Sequence, residues 1–409
     1  ILFLMEGTKE GLRKSGNVTV SPPILIVPRS KTALQVTASI PDAIGPKVAA
    51  VWQLVEEGPA GASVPAQLAP AIDDDGLPSA GRYCATAIIP AARSGVDGEI
   101  RRFHLETAQQ ENQSGDGFKF TDLDDASLKL TDGDKPVLVY NHGAITNSSL
   151  PKTESRRSRA CYVHPVWGIS GEVLTDDFPK DHYHHHGIFW GWPHVGIGTK
   201  QYDLWMGKNI EDRFVRWLYR QTGPAGAVLA MENGWFVAQQ KVMIERVWIR
   251  VYKVSDDTRA LDFEFTWIPV DKPITLRGAE GKSYGGLSMR FNVRSGEPPC
   301  ITVPSGQPKN DLPDTPLPWA DLTGRFAGTS APSGAALFAA PNHPDYPPTW
   351  LTRHYGVLCV GWPGVKGRTF QPGKPIRLSY RVWIHKGAVE ASDVMRAYGS
   401  YAASAKVHF

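Results

Sequence analysis

The chain has 409 residues, 42% of them hydrophobic and 21% charged, and its 44 basic and 41 acidic side chains give a net charge of +3. The near balance of charge argues against a nucleic-acid-binding protein, the apolar content excludes a disordered chain, and no apolar run approaches the ~18 residues of a membrane helix. With 40 glycines, 33 prolines and no collagen period, the composition predicts a turn-rich, all-β protein. The length predicts two domains of ~100–200 residues each.

The N-terminal part is predicted to hold a loose arm and a small β-sandwich. Residues 1–18 are polar and contain glycine, after a brief apolar start that could be the end of a trimmed signal sequence. Residues 19–108 contain short β-type segments, and Trp52 followed by Cys84 is typical of an immunoglobulin-like domain, although no partner cysteine precedes Trp52. A polar stretch, residues 109–117, is the predicted linker to the second domain. The strands expected before this linker are residues 32–40, 49–55 and 82–89.

The remainder, residues 118–409, is predicted to form a large antiparallel β-sandwich. Residues 261–267 and 376–384 place large apolar side chains at every second position, as strands with one buried face do. One helix is expected near the C-terminus, over residues 392–403, with Ser392 as its N-cap. The other strands expected here are residues 118–120, 127–130, 136–140 and 242–254.

The four cysteines give no sign of a zinc or redox motif. They are Cys84, Cys161, Cys300 and Cys359, and none forms a C-x-x-C pair. Their disulfide state is left open by the sequence. The glycine-rich signatures of phosphate binding and the G-x-S-x-G signature of a serine nucleophile are absent too.

The segment 164–192 stands apart because it holds five of the chain's twelve histidines. We expect residues 182–186 to form a strand, in which successive side chains point to opposite faces. The side chains expected on one face are His182, His184 and His186, and those expected on the other face are Tyr183 and His185.

Three hypotheses for these histidines remain open. Three imidazoles on one face could bind a divalent metal, with Asp181 or Glu172 completing the site. Alternatively, one histidine acts as an acid or base near neutral pH and is oriented by a carboxylate. In the third hypothesis the imidazoles form a hydrogen-bonded structural rim.

Further residues near this segment suit a sugar-binding site. Flat aromatic rings stack on the apolar faces of sugars, and Trp167, Trp190, Trp192 and Trp205 flank the histidines, unless they fill the core of the sandwich. Tyr284 lies in a glycine-rich turn that could present its phenol. The other groups considered for this site are Arg353 and His354 in proline-rich loop sequence, and the carboxylates of Glu172, Asp177, Asp181 and Glu280 as members of an acid–base pair.

A set of motifs runs through most of the chain, from about residue 120 to 403. They are His164-Pro165, Gly171-Glu172, Asp177-Phe178-Pro179, Asp181-His182, His184-His185, Gly187, residues 284–288, residues 319–324, Asn342-His343-Pro344, Pro348-Thr349-Trp350 and residues 378–385. Together they resemble a bacterial family of unknown function that is labelled PmoA-like, or "methane oxygenase PmoA", and also DUF6807. Two positions depart from its pattern. Tyr183 stands where proline is common, and His186 stands where arginine is common, which removes a group that could grip a uronic acid carboxylate.

The resemblance implies a galactose-mutarotase-like super-sandwich and a carbohydrate substrate. It also implies a secreted or periplasmic protein of a polysaccharide-degrading bacterium. Methane oxidation does not follow from the label, because a methane monooxygenase subunit is embedded in the membrane and this chain has no segment that could span one.

The leading hypothesis is a carbohydrate-active enzyme of the hydrolase, lyase or isomerase type, with acid–base groups in a tryptophan-lined cleft. The residues expected to be catalytic are His182, His184, His185, Glu172 and Tyr284. The residues expected to contact substrate are His164, Trp167, Asp181, His186, Trp190, Trp192, Arg353 and His354. One alternative is a non-catalytic glycan-binding or self-assembling cell-surface protein, which could form homo-oligomers. A second alternative is a metal-dependent enzyme with His182, His184 and His186 as ligands.

Overall fold

The computed structural model describes residues 22–41, 51–58, 61–92, 99–108, 117–294 and 296–409. Antiparallel strands dominate these residues and a single α-helix accompanies them, so the all-β prediction is confirmed. The predicted N-terminal arm (residues 1–18) and residues 109–116 of the predicted linker lie outside the described residues. No helix in the described ranges is long and apolar enough to cross a membrane.

The first six strands form one antiparallel sheet, here called the N-terminal sheet. They are β1 (Ile24–Pro28), β2 (Leu34–Ser39), β3 (Trp52–Glu56), β4 (Ser63–Ile72), β5 (Pro78–Ile89) and β6 (Ile100–Thr107). They are hydrogen-bonded in the order β1-β6-β3-β4-β5-β2. Every strand contributes to one apolar cluster, which includes Val27, Val36, Leu54 and Phe103. A shared core of this kind is what a small β-sandwich requires.

The remaining strands follow from Phe118 to the C-terminus. The first of them are β7 (Phe118–Asp122), β8 (Ser127–Asp132), β9 (Lys135–Asn141), β10 (Ile145–Thr146), β11 (Ser158–Arg159), β12 (Tyr162–Val166), β13 (Ile188–Gly191), β14 (His194–Ile197), β15 (Lys200–Tyr202), β16 (Glu211–Thr222), β17 (Gly226–Val237) and β18 (Gln240–Tyr252). The others are β19 (Thr258–Pro269), β20 (Ile274–Arg277), β21 (Gly286–Arg290), β22 (Cys300–Thr302), β23 (Thr315–Pro316), β24 (Trp319–Gly324), β25 (Ser333–Ala339), β26 (Thr349–Arg353), β27 (Val357–Gly361), β28 (Arg368–Phe370) and β29 (Ile376–Lys386), followed by helix α1 (Ala391–Ser404). A single turn of 3-10 helix, Ser155–Arg157, precedes β11.

Most of these strands form two large antiparallel sheets around one core. The front sheet has nine strands in the order β23-β26-β27-β21-β13-β12-β9-β8-β7, and the back sheet has eight in the order β16-β17-β18-β19-β29-β25-β24-β22. A smaller sheet has the order β15-β14-β20-β28, and β10 pairs with β11. Apolar side chains from both large sheets belong to one buried cluster. The predicted large sandwich is therefore confirmed.

The back sheet shows the predicted alternation. In β19, Leu261, Phe263 and Phe265 are buried in the core, whereas Asp262 and Glu264 lie half-buried on the opposite face. On that opposite face the back sheet meets the N-terminal sheet. Trp248 Nε1 donates to the carbonyl of Gly76 at 2.8 Å, so the two units contact each other directly; their division into separate domains stays a prediction.

Helix α1 begins near its predicted position but with a different cap. The carboxylate of Asp393 accepts a hydrogen bond from the backbone N–H of Glu390 at 2.9 Å, which makes Glu390 rather than Ser392 the N-cap residue. Val394 and Tyr401 are buried in a cluster with Trp319 and Phe338 of the back sheet. This packing fixes the helix on the outer face of the back sheet.

The candidate site lies where three inner strands of the front sheet begin or end. Strand β21 ends at Arg290, which is opposite the first residue of β27, Val357. On the other side of β21, Met289 is opposite the first residue of β13, Ile188. Chain segments that precede β13 and β27 therefore meet at the end of β21.

The histidine-rich stretch before β13 consists of turns. The N–H of His182 donates to the carbonyl of Pro179 at 2.9 Å, and the N–H of His185 donates to the carbonyl of His182 at 2.9 Å. Consecutive bonds of this i to i+3 type do not occur in an extended strand. The prediction of a strand at residues 182–186, with alternate imidazoles on one face, is therefore wrong.

Candidate functional site

Three histidines and two aromatic residues form what we call the histidine cluster: His182, His184, His185, Trp205 and Tyr355. The rings of His182 and His185 stack with centroids 4.6 Å apart and planes 5° apart, and His184 meets His185 edge-on at 4.6 Å. Tyr355 stacks on His182 at 4.9 Å, and Trp205 lies edge-on to His185 at 5.9 Å. Tyr355 comes from the turn that leads into β27, so the cluster depends on the tertiary fold.

A buried arginine connects this cluster to a carboxylate. Arg290 is 6% exposed, and its Nη2 donates to the two oxygens of Asp181 at 3.0 and 3.1 Å. Oδ2 of Asp181 lies 3.0 Å from Nδ1 of His182. Because Asp181 accepts from Nδ1, the neutral imidazole of His182 has its free lone pair on Nε2. This Arg290–Asp181–His182 relay is the arrangement expected of an oriented general base.

A second carboxylate contacts the same guanidinium and titrates differently. Oδ2 of Asp176 lies 3.9 Å from Nε of Arg290, and burial raises the pKa of Asp176 above its ordinary value. Burial acts in the same direction on Asp181, but hydrogen bonding to His182 and the charge of Arg290 outweigh it, so the pKa of Asp181 lies below its ordinary value. Environments that separate two such pKa values mark possible acid and base partners.

Burial keeps two imidazoles of the cluster neutral. Burial, reinforced by the neighbouring His182, lowers the pKa of His184 to about 3. Burial, reinforced by His184, lowers the pKa of His185 well below its usual value. Nδ1 of each is buried and has no hydrogen-bond partner among the described residues. An unpaired buried nitrogen is unfavourable, so these two atoms lower the stability of the cluster.

An ion pair lies beside the cluster. Arg156 donates to the carboxylate of Glu154 at 2.7 and 2.6 Å, and its guanidinium carbon lies 5.8 Å from the ring centroid of Tyr183. The hydrogen bonds from Arg156 lower the pKa of Glu154 to about 2. Both charges are therefore present at neutral pH and compensate each other.

His186 has a separate environment. Its Nδ1 lies 2.7 Å from Oδ1 of Asp177, and Asp177 also accepts from the hydroxyl of Tyr162 at 2.7 Å. The His186 ring is 3% exposed and packs against Tyr162 and Phe178. His164 lies nearby, with Nδ1 3.0 Å from the hydroxyl of Thr175.

The structure consequently does not bring the three predicted metal ligands together. His186 is bound to Asp177, while His182 and His184 contact each other and His185. In the described part of the chain, no group of three or more His, Cys, Asp or Glu side chains is arranged to hold a metal ion. The four cysteines all lie in this part and are free thiols.

The predicted tryptophans have different locations. Trp190 and Trp192 are fully buried, and they pack on Phe265 and Trp267 in the core of the sandwich, so their assignment as sugar platforms is wrong. Trp205 belongs to the histidine cluster. Tyr284 lies 4.8 Å from Trp205 between ring centroids, which brings this predicted residue next to the cluster.

Glu172 and Trp167 lie in the loop that follows β12. Glu172 is 1% exposed, and its carboxylate has no hydrogen-bond partner among the described residues. It packs against Gly168, where a Cβ would lie 2.1 Å from Oε1. The assignment of Glu172 to the centre of the histidine cluster finds no support in these contacts. Glu280 is likewise elsewhere, exposed and bound to Arg277 at 2.7 Å.

Arg353 and His354 support the turn that carries Tyr355. Arg353 Nη1 donates to Asp311 at 3.0 Å, and the backbone N–H of His354 donates to the same carboxylate at 2.8 Å. Nδ1 of His354 is also 2.8 Å from Asp311. Both predicted substrate contacts are thus engaged with Asp311, and the neighbouring Tyr355 reaches the cluster instead.

The family model described as "Family of unknown function (DUF6807)" matches residues 127–399. The chain belongs to this family. The expectation from the motifs is thereby confirmed, and no activity comes with the match. The chain matches no curated protein. It is also similar to the crystal structure of 4-alpha-glucanotransferase from Thermococcus litoralis, with 11% identity and a TM-score of 0.21 over 66% of this chain and 38% of that one; it spans well under half of that enzyme's length.

Three residues of the site in this DUF6807 member were missed from the sequence: Asp176, Arg290 and Tyr355. Arg290 is the last residue of β21, whose five residues are all buried. A charged residue beside apolar ones in a strand is the sequence feature that could have identified it. Tyr355 follows Arg353 and His354, which had been selected for their loop sequence. Neither signal identifies the partner, because Arg290 and Asp181 are 109 positions apart.

Proposed function

We propose that this protein is an acid–base enzyme that acts on an uncharged carbohydrate at the histidine cluster. The observation that carries the proposal is the Arg290–Asp181–His182 relay, in which a His is oriented by a carboxylate and its side chain is 34% exposed. A structural Asp–His pair needs no such access, whereas a general base must reach its substrate.

The proposed roles follow from the hydrogen bonds. Nε2 of His182 takes a proton from the sugar, and Asp181 stabilises the imidazolium that forms, because it already accepts from Nδ1. Asp176, which lies beside the same Arg290 at 3.9 Å, is assigned the return of a proton. This division suits a proton transfer of the lyase or isomerase type as well as hydrolysis.

Charge and shape support a neutral sugar. The charges of Arg156 and Glu154 compensate each other, and the charge of Arg290 is compensated by Asp176 and Asp181. These pairs therefore leave no net positive charge that would favour an anionic sugar. Tyr355 contacts His182 and Arg290 through its ring and is 38% exposed, and this exposed part can meet the apolar side of a sugar.

The proposal is tested by a screen of neutral oligosaccharides and polysaccharides with product analysis by mass spectrometry and NMR. We expect the wild type to convert at least one of them and Asp181→Asn to lose roughly 10²-fold or more of this rate. The matched control is Glu57→Gln, which alters an exposed carboxylate 3.0 Å from His104 in the N-terminal sheet and should leave the rate unchanged.

Two results would overturn this function. One is a wild type that converts none of the glycans, and the other is an Asp181→Asn variant as active as the wild type. Saturable glycan binding without conversion would support the non-catalytic alternative instead. If elemental analysis of untagged protein found about one metal per chain, with stability sensitive to chelator, the metal-dependent alternative would replace the relay.

A secreted or periplasmic location forms part of the same proposal, because a polysaccharide substrate is encountered outside the cytoplasm. Cell fractionation with an antibody against the chain tests it. Recovery of the protein in the cytoplasmic fraction would contradict the proposed location and leave the chemistry of the site to the screen above.

A further inference from the structure

A groove outside the histidine cluster lies beside Trp167. Its volume is about 430 Å³, which falls within the range of small-molecule sites. Its walls come from the β8–β9 turn, the loop after β12 and the β18–β19 hairpin. We call it the Trp167 groove, and its principal lining residues are Asp132, Asp134, Lys135, Trp167, Val254 and Arg259.

The groove combines apolar surface with hydrogen-bonding groups. Trp167 is partly exposed, and Val254 is 41% exposed. Arg259 is only 6% exposed; its Nη2 donates to Asp132 at 2.6 Å, while its Nε is buried without a partner among the described residues. An indole face next to donors and acceptors suits a sugar, which has both an apolar ring face and hydroxyl groups.

The charges in the groove compensate each other, as they do at the histidine cluster. Arg259 is paired with Asp132, and the groove contains one further residue of each sign, Asp134 and Lys135. An uncharged ligand therefore fits better than an anion or a cation.

The groove and the histidine cluster lie at the ends of nearby strands of the front sheet. Trp167 directly follows β12, and Arg290 is the last residue of β21. Arg290 joins the relay at that end of β21.

Both sites lie at the same end of these inner strands. Residues 173–175 run between them, because Val173 pairs with Trp167 and Thr175 pairs with Phe291. Trp167 is level with Val173 and Arg290 is level with Asp176. Two strand spacings across and three residues along the strands, or about 14 Å, therefore separate the backbone at Trp167 from the backbone at Arg290. One sugar ring does not extend from one site to the other, whereas a chain of linked rings does.

We propose that the Trp167 groove binds an outlying sugar unit of a glycan chain whose reacting unit lies at the histidine cluster. The substrate is then an oligosaccharide or polysaccharide, not a free monosaccharide. This inference rests on the proposed function and adds a chain-length requirement to it.

The test measures turnover of one neutral oligosaccharide series, from the disaccharide to the hexasaccharide, chosen from the polymer that the wild type converts. We expect kcat/KM of the wild type to rise with chain length and Trp167→Ala to lose roughly tenfold on the long members only, since the stacking surface is removed. The control is Trp383→Ala, which alters a half-buried tryptophan of the back sheet and should retain the full chain-length gain.

A second variant tests the groove independently, in case Trp167→Ala does not fold. Val254→Trp fills the groove from an exposed position, and we expect it to reduce kcat/KM for the long members in the same way while leaving the melting temperature unchanged. Both variants should convert the disaccharide at the wild-type rate.

The outcomes separate this inference from the proposed function. If both variants match the wild type at every length, the groove is not a subsite, although the relay remains supported. If the wild type converts no glycan, binding of a disaccharide-to-hexasaccharide series from each neutral polysaccharide of the screen to the wild type and to both variants is measured by calorimetry. Binding that weakens only for long chains in the variants supports the groove, and binding that is absent or unchanged in them overturns it.

Discussion

Two Asp–His pairs from one short segment of this chain have opposite surroundings. Asp181 and His182 have side chains that are 46% and 34% exposed, and Arg290 holds the carboxylate from outside the pair. Asp177 and His186 have side chains that are 13% and 3% exposed, and Tyr162 completes the hydrogen bonds of Asp177. The same two residue types therefore differ in access, and only the exposed pair is open to a ligand.

Substitution of the exposed histidine should give the largest effect. His182→Gln keeps a polar side chain but removes the imidazole that accepts the proton, so we expect turnover to fall by roughly 10²–10⁴-fold. The measurement is the initial rate on the glycan found by the screen. His104→Gln, in the exposed Glu57–His104 pair, is the control and should retain the full rate. A His182→Gln variant with wild-type turnover would show that access does not distinguish the two Asp–His pairs.

Substitution of the buried histidine should instead affect stability. His186→Ala removes a buried ring and the hydrogen bond between that ring and the carboxylate of Asp177. We therefore expect the free energy of unfolding to decrease by roughly 3 kcal/mol. His182→Gln should change it by less than about 0.5 kcal/mol, because exposed pairs contribute little. Urea unfolding of both variants measures this difference, and equal losses would contradict the division between a structural pair and an accessible one.

The pH dependence of stability should follow the buried imidazoles. The pKa of His185 and that of His186 are well below the usual value because of burial, whereas the unfolded chain takes up these protons near pH 6.5. The unfolded state then binds more protons, so stability is full above about pH 6.5 and is lost as the pH falls, by about 1.4 kcal/mol per pH unit for each such group.

The titration of Asp177 partly offsets this loss of stability on acidification. Burial raises its pKa to about 6, so the folded state holds an additional proton between about pH 4 and 6, and the contribution of this group is lost as the pH rises. Urea unfolding between pH 5 and 7.5 should still show a net loss on acidification, with a shallower slope in His185→Gln. An increase in stability on acidification, or an unchanged slope in the variant, would contradict the expected neutral state of these imidazoles.

The smallest effect is expected at Tyr355. Its ring stacks on His182, so Tyr355→Phe preserves the stack and should leave turnover within about twofold, while Tyr355→Ala should raise KM by roughly two- to tenfold. Steady-state kinetics on the same glycan measure both. If Tyr355→Phe lost as much activity as His182→Gln, the hydroxyl rather than the ring face would be the functional part of this residue.

Much of the fold was predictable because it depends on local periodicity. The alternation of Leu261, Phe263 and Phe265 with Asp262 and Glu264 identified β19, and burial follows that pattern in the structure. The aromatic residues of β13 were harder to place. Both faces of the front sheet near β13 are covered, so Trp190 and Phe189 are each buried, and the sequence could not tell which aromatic rings serve the core.

The sequence by itself determined that this is an all-β sandwich protein of a recognisable family with an unusual concentration of histidines. Only the tertiary structure decided which histidines act together, because turns at residues 179–185 replaced the expected strand. It also supplied Arg290 and Tyr355, which approach His182 from strands and turns far along the chain. Side-chain periodicity is a local property of the backbone, whereas a site of this kind forms where strand ends meet, and their order in the sheet is set by packing across the whole core.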